Sequence, residues 1–160
     1  MAKEIERKFL VRGDWRSTND SPYEIKQGYL STDPDRTVRV RVEYDGYRER
    51  CWLTVKGRTH GAVRDEYEMN IEEPGIAVEM IDNLCQGVIH KTRTVQHHSP
   101  VFWEINEFHG DNEGLVIAEV ELASEDQIVA RPDWIGEEVT HDTRYFNSNL
   151  SINPYKNWRS

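Results

Sequence analysis

Hydrophobic and polar residues alternate with a period of two along most of this chain. From Thr37, the run TVRVRVEY sets Val38, Val40 and Val42 against Arg39 and Arg41. CWLTVKG repeats the arrangement, with Leu53 and Val55 against Thr54 and Lys56. In VRDEYEMNIE, Arg64, Glu66, Glu68 and Asn70 alternate with Asp65, Tyr67, Met69 and Ile71. Successive side chains of a strand point to opposite faces, so each run predicts a strand with two chemically different faces. EIERKFLV, EIKQGYLS, HKTRTVQ, VFWEINEFHG and LVIAEVELAS complete a set of about eight strands. GDNEG, between the last two, reads as a hairpin turn.

Helical spacing is rare. In PGIAVEMIDNLCQGVIH, Ile76, Met80, Leu84 and Val88 fall four apart, and Pro74 suits a first turn. This predicts a helix whose stripe packs on the core. A short helix is expected over TRYFNSNLS, ahead of Pro154, and a single turn at Asp14 and Trp15. The predicted class is α+β, mainly antiparallel β: an eight-stranded β-barrel with a few helices packed outside. Without repeats, low-complexity stretches or linkers, residues 1–160 read as one domain.

Composition narrows the partners. The formal net charge of −9 disfavours binding to nucleic acid or to an anionic membrane. No apolar run approaches the length of a membrane span. MAKEIERK is charged from its third residue and has no signal core. Cys51 and Cys85 match no metal-ligand spacing and read as reduced thiols. The expectation is a soluble cytoplasmic protein without nucleic-acid or membrane partners, with homodimerisation left open.

The alternation carries a second message, because the polar faces hold almost only ionic residues. Lys8, Arg39, Arg41, Lys56, Arg64, Lys91 and Arg93 give seven cations; Glu4, Glu6, Glu66, Glu68, Glu119 and Glu121 give six anions. A single such strand is best read as a sheet with its polar face in water. Across the set, the near absence of Thr, Ser and Gln favours rows that turn inward as the sheet curls. Burying cations without partners costs several kcal/mol each, so the carboxylates are needed inside with them. Converging Arg and Lys suit a string of phosphates. If the first strand lies beside AEVEL, Glu4 and Glu6 face Glu119 and Glu121. Four carboxylates at that range call for a hard divalent cation, Mg²⁺ or Mn²⁺. Metal and phosphate-holding cations together equip a site for phosphoryl transfer.

These residues, in order, resemble the CYTH, or triphosphate tunnel metalloenzyme, superfamily. EIERKFLV matches its ExExK signature. QGYL, RVR, TVKG, RDEYE, KTR, EVE and RYFNSNL follow along nearly the whole chain. The resemblance implies an eight-stranded tunnel that acts on triphosphates with divalent metal. It implies metal ligands at Glu4, Glu6, Glu119 and Glu121, and a triphosphate cradle of Lys8, Arg39, Arg41, Lys56, Arg64, Lys91 and Arg93. Glu4, Glu6, Lys8 and Glu121 form the implied catalytic set, with Glu66 and Glu68 as supporting acids. Tyr29 and Tyr145 fall at aromatic positions used near the site in similar proteins. The short form resembles bacterial inorganic triphosphatases, which convert tripolyphosphate to pyrophosphate and phosphate.

Other readings stay open on sequence. A nucleoside or thiamine triphosphatase, or a class IV adenylate cyclase, would use the same tunnel. A non-catalytic polyphosphate binder would keep the cations without needing the carboxylate quartet. The six histidines are scattered and read as surface or core polar residues. Trp103 and Trp134 read as core, although a tryptophan near a tunnel mouth could stack on an organic ring.

Overall fold

The computed structural model describes residues 3–158. Eight antiparallel strands close into a barrel. They are β1 (Lys3–Val11), β2 (Tyr23–Ser31), β3 (Arg36–Tyr44), β4 (Glu49–Gly57), β5 (Val63–Ile71), β6 (Val88–His98), β7 (Val101–Phe108) and β8 (Val116–Glu121). Their order around the wall is β5-β4-β3-β2-β6-β7-β8-β1, and β1 returns to β5. That seam is short, with Lys3 opposite Asp65, Glu4 opposite Arg64 and Ile5 opposite Val63.

Beyond the expected eight strands there is a ninth, β9 (Ile135–Glu138), which pairs with the second half of β1. Its sequence, IGEE, is too short and too weakly alternating to announce a strand. Two α-helices occur among the described residues: α1 (Pro74–Leu84) and α2 (Asn147–Ile152), the latter behind a 3-10 turn at Thr143–Tyr145. The GDNEG connection also contains a 3-10 turn, Gly110–Asn112.

Three expectations about local structure are corrected. The helix after Pro74 stops at Leu84, and Val88, Ile89 and His90 open β6 instead. Its buried residues are Ala77 and Ile81, whereas Ile76, Leu84 and Val88 are exposed. Small Ala77 lets the helix lie close to the outer faces of β3 and β4, so the contact stripe is rotated from the one with the larger side chains. Asp14 and Trp15 form no helical turn; the segment is irregular, and Trp15 is buried.

Apolar packing covers the outside of the barrel wall in two clusters, and a third fills one end of the interior around Tyr29, Ile89, Phe108, Ile117 and Leu150. Val40, Val42 and Cys51 pack against Ala77 and Ile81 of α1. Phe9, Trp103, Ile105, Ala118 and Val120 pack beneath Trp15, Leu122, Trp134 and Ile135. Trp103 and Trp134 are therefore core residues, meeting edge to face at 5.8 Å. With the outer faces covered by helix and loop, alternation forces the ionic positions of the same strands into the interior. Cys51 and Cys85 are free thiols. No helix of the described residues is long and apolar enough to cross a membrane.

Candidate active site

The barrel interior is a cavity of about 350 Å³, walled by charged side chains from seven strands. Glu4, Glu6 and Lys8 enter from β1, Arg39 and Arg41 from β3, and Lys56 from β4. Arg64, Glu66 and Glu68 enter from β5, Lys91 and Arg93 from β6, and Glu119 and Glu121 from β8. All thirteen ionic positions singled out in the sequence meet here, with Tyr29 beside them. Tyr145 does not. It is buried in an apolar cluster with Leu150 and Val139, edge-on to Trp158 at 5.0 Å.

The register differs in detail from the sequence expectation. Glu6 faces Glu121 across the β1–β8 ladder, but Glu119 faces Lys8, and Glu4 faces Arg64 on the other edge. The four carboxylates are therefore threaded with cations. Lys8 Nζ donates to Glu6 Oε1 at 2.6 Å and to Glu119 Oε2 at 3.3 Å. Lys56 Nζ donates to Glu4 Oε1 at 2.9 Å and lies 3.4 Å from Glu66. Arg93 Nε donates to Asn106 Oδ1 at 2.9 Å; its other nitrogens lie 3.1 Å from Glu104 and 3.7 Å from Glu119. Asn106 Nδ2 in turn donates to Glu119 Oε1 at 2.9 Å.

Electrostatics divide the cavity in two. Burial, the Glu119 carboxylate and the Glu4 carboxylate push Glu6 up to about 8 against the opposing pull of Lys8. Burial and neighbouring carboxylates likewise raise Glu66 and Glu121. Glu4 is also desolvated, yet Lys56, Lys8 and Arg39 outweigh that and bring it down to about 2. Glu119 is held well below the usual carboxylate range by Lys8, Lys91 and Arg93, despite its burial. On the opposite wall the cations crowd one another. Burial, with Arg39 and Arg93, lowers Arg41 to about 10. Burial and the charges of Arg93, Arg41 and Arg39 depress Lys91 well below its ordinary value. The Arg39 Nε is buried with no hydrogen-bond partner. The acidic wall thus has capacity for a cation and the basic wall for an anion.

One end of the barrel is plugged by the C-terminal segment. Leu150 of α2 packs with Tyr29, Ile89, Phe108 and Ile117. Asn147 Oδ1 accepts from Lys91 Nζ at 2.9 Å and from Gln27 Nε2 at 3.3 Å. Phe146 lies under Lys8 and Arg64, with ring-centre distances of 5.7 and 6.0 Å. Docking this segment needs a bare backbone at Gly87, where a Cβ would come within 2.0 Å of the Ser151 carbonyl oxygen.

The cavity also includes residues to which the sequence assigned no role in the site: Tyr23, Thr37, Glu43, Trp52, Thr54, Glu104, Phe146, Asn147 and Ser148. Buried Gln27 accepts from Arg41 Nε at 2.8 Å. Trp52, Thr37 and Glu43 share the face of residues already singled out on their strands, so extending the alternation by one step would have found them. Asn147 and Ser148 carry no alternation signal, only the RYFNSNL resemblance, because α2 reaches the cavity through tertiary docking.

The metal question can be put to the donor set. Glu4, Glu6, Glu119 and Glu121 supply only oxygen, and Glu6 and Glu121 are raised partly by their acidic neighbours. A hard divalent cation fits that environment; a thiolate- or imidazole-seeking ion does not.

A closed antiparallel tunnel lined by paired ionic rows, with the ExExK strand at its seam, defines a CYTH domain. The CYTH domain family model matches residues 2–151, and the chain belongs to that family. It is 48% identical over 160 residues to the inorganic triphosphatase of Acetivibrio thermocellus, covering 99% of each chain. It is 35% identical over 153 residues to the inorganic triphosphatase of Nitrosomonas europaea, covering 93% of this chain and 97% of that one. A crystal structure of an inorganic triphosphatase aligns with a TM-score of 0.65 at 31% identity, covering 95% of this chain and 96% of the other.

Proposed function

We propose that this protein hydrolyses inorganic triphosphate to pyrophosphate and phosphate with Mg²⁺ or Mn²⁺, inside the tunnel of a single CYTH unit spanning 1–160. The observation that carries this reading is the strain left in the ionic lining: burial and neighbouring carboxylates raise Glu6, Glu66 and Glu121, burial and neighbouring cations lower Arg41 and Lys91, and one metal–polyanion complex relieves both. Two curated relatives are inorganic triphosphatases, and the match to each runs over almost its full length.

Within that reading, Arg39, Arg41, Lys91 and Arg93 hold phosphate oxygens along the basic wall, with Arg64, Lys56 and Lys8 closing the cradle. The unpartnered Arg39 Nε is a donor ready for one of those oxygens. Glu4, Glu6, Glu119 and Glu121 would hold the divalent ion, with Glu66 and Glu68 beside them. When bound, that ion neutralises phosphate charge and lowers the pKa of a water. Water adds to the terminal phosphorus as the bridging P–O bond breaks, and pyrophosphate leaves with the bridging oxygen. Charge developing on that oxygen falls among arginines already fixed by Gln27 and Asn106, so little reorganisation is required. Glu4, Glu6, Lys8 and Glu121 are the residues on which turnover depends most. Tyr29 packs beside this set, whereas Tyr145 supports the plug from behind.

The test is phosphate release from tripolyphosphate, ATP and thiamine triphosphate in turn, each with Mg²⁺, Mn²⁺ or chelator. Metal-dependent release that is fastest from tripolyphosphate is expected. Faster release from an organic triphosphate would transfer the assignment to that substrate, and tight binding without turnover would make the protein a binder.

A further inference from the structure

Outside the tunnel, four polar side chains from β2, β6 and the residue after β7 come together. Lys91 and Arg93 face inward, so His90 and Thr92 of β6 face outward. On β2, Tyr23 and Tyr29 line the cavity, which turns Glu24 outward. Glu24 pairs with Thr92 across the β2–β6 ladder. His109 follows β7 and is tied to His90 by a backbone hydrogen bond, His109 N to His90 O, at 2.9 Å. A carboxylate can only accept, so His90 Nε2 donates to Glu24 Oε1 at 2.9 Å and Thr92 Oγ1 donates to Glu24 Oε2 at 2.8 Å. The single Thr92 proton being spent on Glu24, His109 Nε2 donates to Thr92 Oγ1 at 2.6 Å. The imidazole rings are 4.9 Å apart, and one ligand atom from each of Glu24, His90 and His109 lies within 4.8 Å of the others.

We infer that Glu24, His90 and His109 form a second metal site, on the outer wall of the barrel, for a borderline transition-metal ion such as Zn²⁺. Two imidazole nitrogens and one carboxylate oxygen suit Zn²⁺, Co²⁺ or Ni²⁺ rather than Mg²⁺, the reverse of the all-oxygen set in the tunnel. Ligand atoms on a tetrahedral zinc are about 3.3 Å apart, given metal–ligand bonds of about 2.0–2.1 Å. Binding therefore draws the three ligand atoms, now within 4.8 Å of one another, closer together. His90 Nε2 already meets Glu24, and His109 Nε2 meets the Thr92 hydroxyl that holds the same carboxylate. Binding requires each to shift its proton to Nδ1, and His90 and Glu24 are exposed enough for solvent to supply the fourth ligand. The Thr92 hydroxyl, bonded to the second Glu24 oxygen, fixes the carboxylate orientation as an outer partner. The ion would tie β2, β6 and the end of β7 together, behind the wall that presents Lys91 and Arg93. This inference is independent of the tunnel's activity.

The test uses the full-length protein and Co²⁺ or Zn²⁺ alone. Titration with Co²⁺ should give the visible absorption of a low-coordinate nitrogen–oxygen site, and Zn²⁺ should bleach it at one equivalent. Excess Mg²⁺, added to fill the tunnel carboxylates, should leave the band in place. H90Q and H109Q should each lose the band and weaken Zn²⁺ binding at least 30-fold, while H97Q keeps both. E24Q, which preserves both imidazoles, should weaken Zn²⁺ binding about tenfold. These substitutions lie outside the tunnel, at exposed His90 and partly exposed Glu24 and His109, and should leave circular dichroism and phosphate release unchanged. Absence of the band in the native protein, or its survival in both H90Q and H109Q, would overturn the site.

Discussion

Lys56 Nζ, on β4, lies 2.9 Å from Glu4 Oε1, on β1, reaching across the β5 strand that separates them in the wall. This pair spans the barrel's closing seam from the inside and joins the acidic wall to a cation. Lys56 is also the leading electrostatic reason that Glu4 lies near 2 in spite of burial. Lys56→Ala should therefore raise the Glu4 pKa and remove a phosphate contact together. A fall of about 10²–10³ in kcat/KM is expected, the range for removing one aligned transition-state donor. Steady-state phosphate release checks the rate, and carboxyl NMR the titration.

Glu121 gives the opposite sign for stability. Its carboxyl is raised by burial and by Glu4, Glu104 and Glu66, so its charge is a burden to the metal-free fold. Glu121→Gln should leave the thermal midpoint unchanged or slightly higher without metal, while cutting turnover by about two orders of magnitude or more. Parallel thermal melts and rate assays test both halves; a lower midpoint with normal turnover would contradict the assignment.

Asn147 is the sole hydrogen-bond partner of the Lys91 ammonium among the described residues. Asn147→Ala leaves a buried donor unsatisfied, at a cost of about 1–3 kcal/mol. Chemical denaturation should show that loss. KM for tripolyphosphate should rise as Lys91 loses its orientation. Gly87→Ala disturbs the same plug by steric clash with the Ser151 carbonyl and should destabilise by about 1–3 kcal/mol.

The inward rows were legible because the chain writes them twice, once as alternation and once as the choice of Arg, Lys and Glu over milder polar residues. Val40 beneath α1 and Arg41 in the cavity are adjacent in sequence, so one assignment fixes the other. Less legible were features set by distant partners. Glu119 faces Lys8 instead of Glu4 because the β1–β8 register and the barrel's stagger place it there, and alternation alone cannot set a register. The α1 contact stripe does not follow from spacing, because Ala77 and Ile81 bury while larger Ile76 and Leu84 do not. Likewise, His90 and His109 are nineteen positions apart in a chain whose histidines looked scattered, and only the β6–β7 pairing brings them together.

Acid stability should report on β9. Arg7 on β1 clamps Glu138 through Nε–Oε2 at 2.9 Å and Nη2–Oε1 at 2.7 Å. These hydrogen bonds outweigh desolvation, and with Thr140 and Arg131 they bring Glu138 down to about 2. A carboxyl lowered on folding stabilises the fold above its unfolded pKa and loses that contribution as pH falls toward the folded value. The stabilisation is therefore full above about 4.5 and fades towards pH 2. Glu138→Gln should cost about 1 kcal/mol at pH 7, discounted for the pair's partial exposure, and nearly nothing by pH 2. Denaturation of both proteins across pH 2–7 tests the convergence.

Calorimetric titration of tripolyphosphate into the metal-free protein, beside an Arg39→Ala/Arg41→Ala variant, reaches the central claim without relying on turnover. One saturable site per chain, weakened at least 30-fold in the variant and tighter than for pyrophosphate, is the predicted result. Weak binding without fixed stoichiometry, equal in both proteins, would contradict a triphosphate cradle in the tunnel.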